Sequence, residues 1–243
     1  MTHLFIRGWN TYNTDLYINI FNIFKENNIE YYDFQYKNNF ILDDIIFELK
    51  KLLKEKEFTT IVCHSMGAYF VSRIIQDISN IKIILLNPFI YIDNLRLNIF
   101  SKILNYKFIR NFPFYFPKWF VINKAFLSYK QKQDNNLLYD IVFESYQFIC
   151  VNLLSEIVND INNSDIIDNL FFYKKKNNNK ISIIWSLDEE LIKLDYKQLI
   201  RLDTFFDLNI IIGKHESFHN NEYDYIKINY LNNFKKLLFE EET

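Results

Sequence analysis

The sequence predicts an α/β protein: an open, mostly parallel sheet of about six strands, flanked by helices. Three observations carry that prediction. Short β-branched or aromatic runs alternate with segments of helical period. A length of 243 residues suits one sizeable core rather than two independent domains. Each of only three glycines follows a predicted strand.

In chain order, "HLFIR" (3–7) reads as a buried strand, and residues 14–26 place Leu16, Ile20, Ile23 and Phe24 on one helical face. "IEYYDFQY" (29–36) is a second strand. The clearest helix follows, with an apolar stripe of Leu42, Ile45, Ile46, Leu49, Leu52 and Leu53 opposite Lys and Glu. "FTTIVC" (58–63) is a third strand, leading into a helix that spaces Met66, Phe70, Ile74 and Ile78 four apart. "KIILLN" (82–87) is a fourth, ended by Pro88; "ISIIWS" (181–186) and "LNIIIG" (208–213) are the last two. Residues 193–203 read as a helix between them. A closing helix over 224–239 carries Ile228, Leu231, Phe234 and Leu238 on one face. The interval 90–180 breaks the alternation: helical segments (97–109, 137–161), the aromatic stretch "FPFYFPKWF" (112–120) and a polar loop "YKKKNNNK" (173–180) predict a helical insertion within a single domain.

Composition excludes several classes. With 28 basic and 30 acidic residues, a net charge of −2 gives no electrostatic case for nucleic acid. Two cysteines, Cys63 and Cys150, do not make a disulfide framework and favour a reducing compartment. The opening "MTHLFIRGWN" reads as a strand rather than a secretory leader, so a cytoplasmic location is expected. Apolar runs such as "IKIILLNPFIYI" fall short of the roughly 20 residues of a membrane span. The abundance of Asn, Ile, Lys, Tyr and Phe matches an AT-rich genome, which lowers the functional weight of a 19% aromatic content.

Average usage of about 7% would give a chain of this length about 17 glycines. A chain so poor in glycine keeps it where the backbone demands it, here at Gly8, Gly67 and Gly213. All three lie at the strand ends where open α/β sheets bind ligands. In "TTIVCHSMGAYF" (59–70), Ser65 sits between strand and helix, with the small residues Cys63 and Gly67 two positions to either side. Alone, such a serine reads as a helix N-cap. Flanked by small residues on a strand–turn–helix, it reads as a nucleophile elbow, whose tight turn admits no bulk there.

"CHSMG" resembles the "GHSMG" elbow of the α/β-hydrolase superfamily, with Cys63 where glycine is usual. "FIRGWN" is similar to the His-Gly loop after an early strand in that family, with Arg7 where histidine is common. "LLNPF" is similar to the strand end that precedes the family's cap. The resemblance covers nearly the whole chain apart from the family's first two antiparallel strands. It implies the α/β-hydrolase fold, with a helical cap over 90–180, and no particular member. It also implies an oxyanion hole made by the backbone N–H groups of Trp9 and Met66.

A serine nucleophile needs a base, and the base needs an acid to orient it. Of four histidines, His3 sits at a strand start, and His64 adjoins the serine on a turn that directs neighbouring side chains apart. His215, two residues past a strand-ending glycine, occupies the position where the family carries its base; His219 is the weaker candidate. The family's order Ser…Asp…His implies an acid in "IIWSLDEEL": Asp188 first, then Glu189, with Asp93 after "LLNPF" as a third possibility. An acidic helix start is the ordinary alternative for that cluster.

The expected chemistry is hydrolysis of a carboxylic ester or thioester of an apolar acyl group through an acyl-enzyme on Ser65. It calls for no metal or organic cofactor. Phe112, Phe114, Tyr115, Phe116, Trp119 and Phe120 are candidate pocket residues, or equally the packing of the insertion onto the sheet. Acyl transfer from the same intermediate, and a non-catalytic binding protein of the same fold, are the competing readings. Arg7 and Cys63 are the main support for the second.

Overall fold

A computed structural model describes residues 2–8, 14–36, 41–91, 114–115, 148–149, 151–188, 194–213, 217–218 and 224–239. Its strands are β1 (Thr2–Ile6), β2 (Glu30–Phe34), β3 (Thr60–His64), β4 (Lys82–Leu86), β5 (Phe114–Tyr115), β6 (Phe148–Ile149), β7 (Lys180–Ser186) and β8 (Asp207–Ile211). Six form one parallel sheet in the order β2-β1-β3-β4-β7-β8, and β5 pairs with β6 antiparallel. The helices are α1 (Ile18–Glu26), α2 (Leu42–Glu55), α3 (Met66–Ile74), α4 (Val151–Asn163), α5 (Ile166–Lys176), α6 (Tyr196–Phe205) and α7 (Asp224–Phe239).

Parallel strands need coverage on both faces, and these strands are apolar on both. Leu4, Ile6, Ile61, Cys63, Ile83, Leu85, Ile181 and Ile183 point into one core with residues of α2, α3, α4, α5 and α6. Their neighbours Phe5, Val62, Ile84, Leu86, Ile184 and Ile211 point into a second core with α1 and α7. The result is three layers, helix–sheet–helix. Among the described residues no helix is long and apolar enough to cross a membrane.

All six predicted strands are present, and α2 buries Leu42, Ile45, Leu49 and Leu52 as its period requires. Two local expectations fail. The buried face of α7 is Ile226, Tyr230, Phe234, Leu237 and Leu238, whereas Ile228 is half exposed. The lysine-rich segment 173–180, expected as a loop, is helical through Lys176. Asp165 caps that helix by accepting the Asp168 N–H at 3.0 Å, and the ammonium of Lys175 lies 4.3 Å from the ring centre of Phe171. Within the expected insertion, α4 and α5 pack against the α2–α3 layer, where Tyr69 donates to Asp160 at 2.8 Å. The segment 97–109 lies outside the described residues, as does 112–120 except for Phe114–Tyr115.

Because the sheet is parallel, all six strand ends lie along one edge. From β1 the chain moves outward to β2, then returns to the other side of β1 to form β3. The crevice of such a sheet opens where the strand order reverses, here between β1 and β3. Gly8 and Ser65 follow those two strands.

Candidate active site

Ser65 links β3 to α3 with φ +50° and ψ −116°, a conformation that non-glycine residues rarely hold. Its backbone is locked on three sides. Its N–H donates to the Leu86 carbonyl at 2.9 Å, and its own carbonyl accepts the N–H groups of Ala68 (3.1 Å) and Phe89 (2.9 Å). Its side chain makes no capping hydrogen bond to α3, so the ordinary N-cap reading does not describe it. The residue is buried, at 7% exposure.

The flanking small residues have a steric cause. A Cβ on Gly67 would lie 2.5 Å from the Ile6 carbonyl oxygen and 2.9 Å from that of Arg7, both rigid backbone. A Cβ on Gly8 would lie 2.8 Å from His64 Nδ1 and 3.1 Å from Ser65 Cβ. Cys63 is fully buried in the α2–α3 core, and burial pushes its thiol pKa up, which makes it an unreactive packing group.

Four residues hold the strand ends in place; of these the sequence reading singles out only Arg7, and as a departure from the family pattern rather than as a support. Arg7, itself buried, donates through Nε to Asp33 Oδ1 at 2.8 Å and pairs through Nη2 with Asp33 Oδ2. Tyr17 accepts the Gly8 N–H at 3.0 Å, and its hydroxyl lies 3.0 Å from His64 Nδ1. Tyr36 donates to the Gly8 carbonyl at 2.7 Å. Asn87, at φ +43° and fully buried, donates its N–H to Ile184 O (2.9 Å) and accepts the Ser186 N–H on Oδ1 (2.8 Å). An Asn just before Pro88 is a turn signal; the two tyrosines carry none in a chain with 17 Tyr and 25 Phe.

Of the expected site residues, Ser65, Met66 and Asp188 are described. Met66 opens α3 and is buried. Asp188 is exposed on the turn after β7, where its N–H donates to the Gly213 carbonyl at 3.0 Å. Trp9, Asp93, Glu189, His215 and His219 lie outside the described residues. The described residues on either side of His215 in sequence are Gly213 and Ser217–Phe218. Gly213 precedes it on the Asp188 turn. Phe218 follows it, packed edge-on to His64 at 5.1 Å and stacked on Tyr17 at 5.6 Å, with its carbonyl accepting from Asn19 at 2.7 Å. His64, next to Ser65, is itself enclosed by Tyr17 and Phe218. Among the described residues no group of three His, Cys, Asp or Glu side chains could hold a metal ion.

The architecture is that of the α/β-hydrolase fold. Solved structures with this fold match nearly the whole chain. A monoacylglycerol lipase of Paleococcus ferrophilus matches at TM-score 0.68 and 10% identity, covering 98% of this chain and 93% of its own. An enol-lactonase of Burkholderia xenovorans LB400 matches at 0.66 and 10%, covering 98% and 91%. A structure from a study of carboxylesterases of the thaumarchaeon Nitrososphaera gargenis matches at 0.63 and 12%, covering 98% and 90%. At such identities the likeness is one of fold. No family model matches the sequence, and no curated protein does.

Proposed function

We propose that the protein is a serine hydrolase cleaving a carboxylic ester or thioester of an apolar acyl group. The observation that carries this reading is the backbone of Ser65. A strained, positive-φ serine with no capping bond, held at the crevice between β1 and β3, is what a nucleophile elbow requires and what an ordinary helix start avoids. The strand-end partners Asp188–Gly213 and Phe218–His64 support an assembly of Ser65 with His215 and Asp188. Structural neighbours named as a lipase, a lactonase and carboxylesterases support an acyl substrate.

In the proposed reaction, His215 takes the Ser65 hydroxyl proton as Oγ bonds to the acyl carbon. The Trp9 and Met66 N–H groups stabilise the oxyanion, an effect of roughly 3–4 kcal/mol per donor in measured cases. The carbon–oxygen or carbon–sulfur bond then breaks, and the leaving alcohol or thiol departs with the proton from His215. Water, deprotonated by the same imidazole, attacks the acyl-enzyme, and the proton returns to Ser65 Oγ as the acid leaves. Asp188 orients the imidazole, with Glu189 and Asp93 as alternatives. The aromatic residues of 112–120, within a helical cap over 90–180, are candidates for the acyl pocket or equally for packing the cap onto the sheet, and the reaction runs in the cytoplasm without a cofactor.

Intact-mass analysis after treatment with a fluorophosphonate probe tests the reading. One adduct is expected on the wild type and none on Ser65→Ala. An unlabelled, correctly folded wild type would reject the nucleophile and leave the non-catalytic binding protein as the reading to pursue.

A further inference from the structure

We propose that Tyr17 and Tyr36 are positioning residues for the oxyanion hole, acting together as a clamp on Gly8; the inference rests on the serine-hydrolase reading above. Gly8 directly precedes the proposed donor in sequence. It lacks a Cβ, so sterics leave its φ and ψ loosely restrained. Each peptide group is a rigid plane, and the two planes that meet at a residue define those two angles. Tyr17 Oη takes the N–H of the plane before Gly8 at 3.0 Å, and Tyr36 Oη donates to the carbonyl of the plane after it at 2.7 Å. With both planes held, the glycine loses its rotational freedom. The second peptide group also carries the N–H of residue 9, the proposed donor, so Tyr36 bonds to the peptide group that bears it.

Both phenols are anchored in turn. Tyr17 is fully buried, edge-on to Phe5 at 4.9 Å and stacked on Phe218. Tyr36 is buried and meets Phe70 of α3 edge-on at 4.9 Å, which couples the clamp to the helix that starts at the nucleophile. The clamp therefore ties the Tyr17 turn, the segment after β2 and, through Phe70, α3 to the two peptide groups that meet at Gly8.

The test compares wild type, Tyr36→Phe and Tyr17→Phe in the full chain. Phosphonylation of Ser65 is followed over a range of fluorophosphonate concentrations, which separates the maximal inactivation rate from the half-saturating concentration. Thermal melting is recorded alongside. Removing one oxyanion donor costs 100-fold or more in rate, so a misaligned one should lower the maximal rate about tenfold or more. The half-saturating concentration should stay within about twofold, a split that loss of packing alone would not produce. Equal maximal rates for wild type and both variants would overturn the clamp while leaving the nucleophile intact. If one variant fails to fold, the other decides; failure of both would make the tyrosines structural and also overturn the proposal. A wild type that does not label at all would remove the hydrolase reading, and the clamp with it, which is a distinct result.

Discussion

Ser65 stores strain where the proposed chemistry needs it. A positive-φ backbone of this kind costs on the order of 1–3 kcal/mol and persists only because its surroundings impose it. Two substitutions separate the backbone from the hydroxyl. Ser65→Ala removes the oxygen and keeps the strain, whereas Ser65→Gly removes both. Glycine's extra unfolded-state entropy costs about 0.5–1 kcal/mol, so Ser65→Gly should still be more stable than Ser65→Ala by about 1 kcal/mol. Urea melts of the two variants check this; a Ser65→Gly midpoint below that of Ser65→Ala would mean that the turn carries no strain. Arg7 teaches a second lesson at this scale. It stands where the resembling family commonly has histidine, and in sequence it looked like a departure that might remove function. In the structure it forms a buried ion pair with Asp33 at the end of the neighbouring strand, so the substitution has a local structural cause.

Among the elements, α7 shows where periodicity stops deciding. Two stripes fit its sequence, Ile228–Leu231–Phe234–Leu238 and Ile226–Tyr230–Phe234–Leu237, and they differ only in rotation about the helix axis. Contact with α1 and the sheet selects the second. Phe234→Ala should therefore cost about 3–5 kcal/mol, and Ile228→Ala less than about 0.5 kcal/mol. Denaturant unfolding of both variants reads the difference; comparable losses would reject the observed rotation. The α5 correction has a similar origin. A run of lysines and asparagines looks like a loop by composition, but Asp165 starts a helix that the aromatic rings beside the lysines help to continue.

At the scale of the molecule, stability should depend on pH through His3, near the start of β1. Burial lowers its pKa, so the folded protein favours the neutral imidazole. The unfolded chain takes up a proton near pH 6.5, before the folded one does. The stabilisation is therefore complete above about 6.5 and is lost as pH falls from there through the folded-state value. Melting temperatures of wild type and His3→Gln, taken from pH 7.5 downward, should converge as pH falls through that window. Parallel curves would show that His3 does not titrate with folding.

The six strands, the layering and the position of the Ser65 turn between strand and helix are legible in the sequence alone. Each follows from short-range physics: strands apolar on both faces must be covered on both, and a chain with three glycines spends them on turns that nothing else fits. Only the tertiary structure shows which residues hold that turn and the neighbouring strand ends in place. Arg7 and Asp33 are 26 positions apart, Tyr36 and Gly8 are 28 apart, and Asn87 meets Ser186 across 99. No local pattern marks such pairs, because they arise only when parallel strands bring their ends to one edge and the chain reverses direction between β1 and β3.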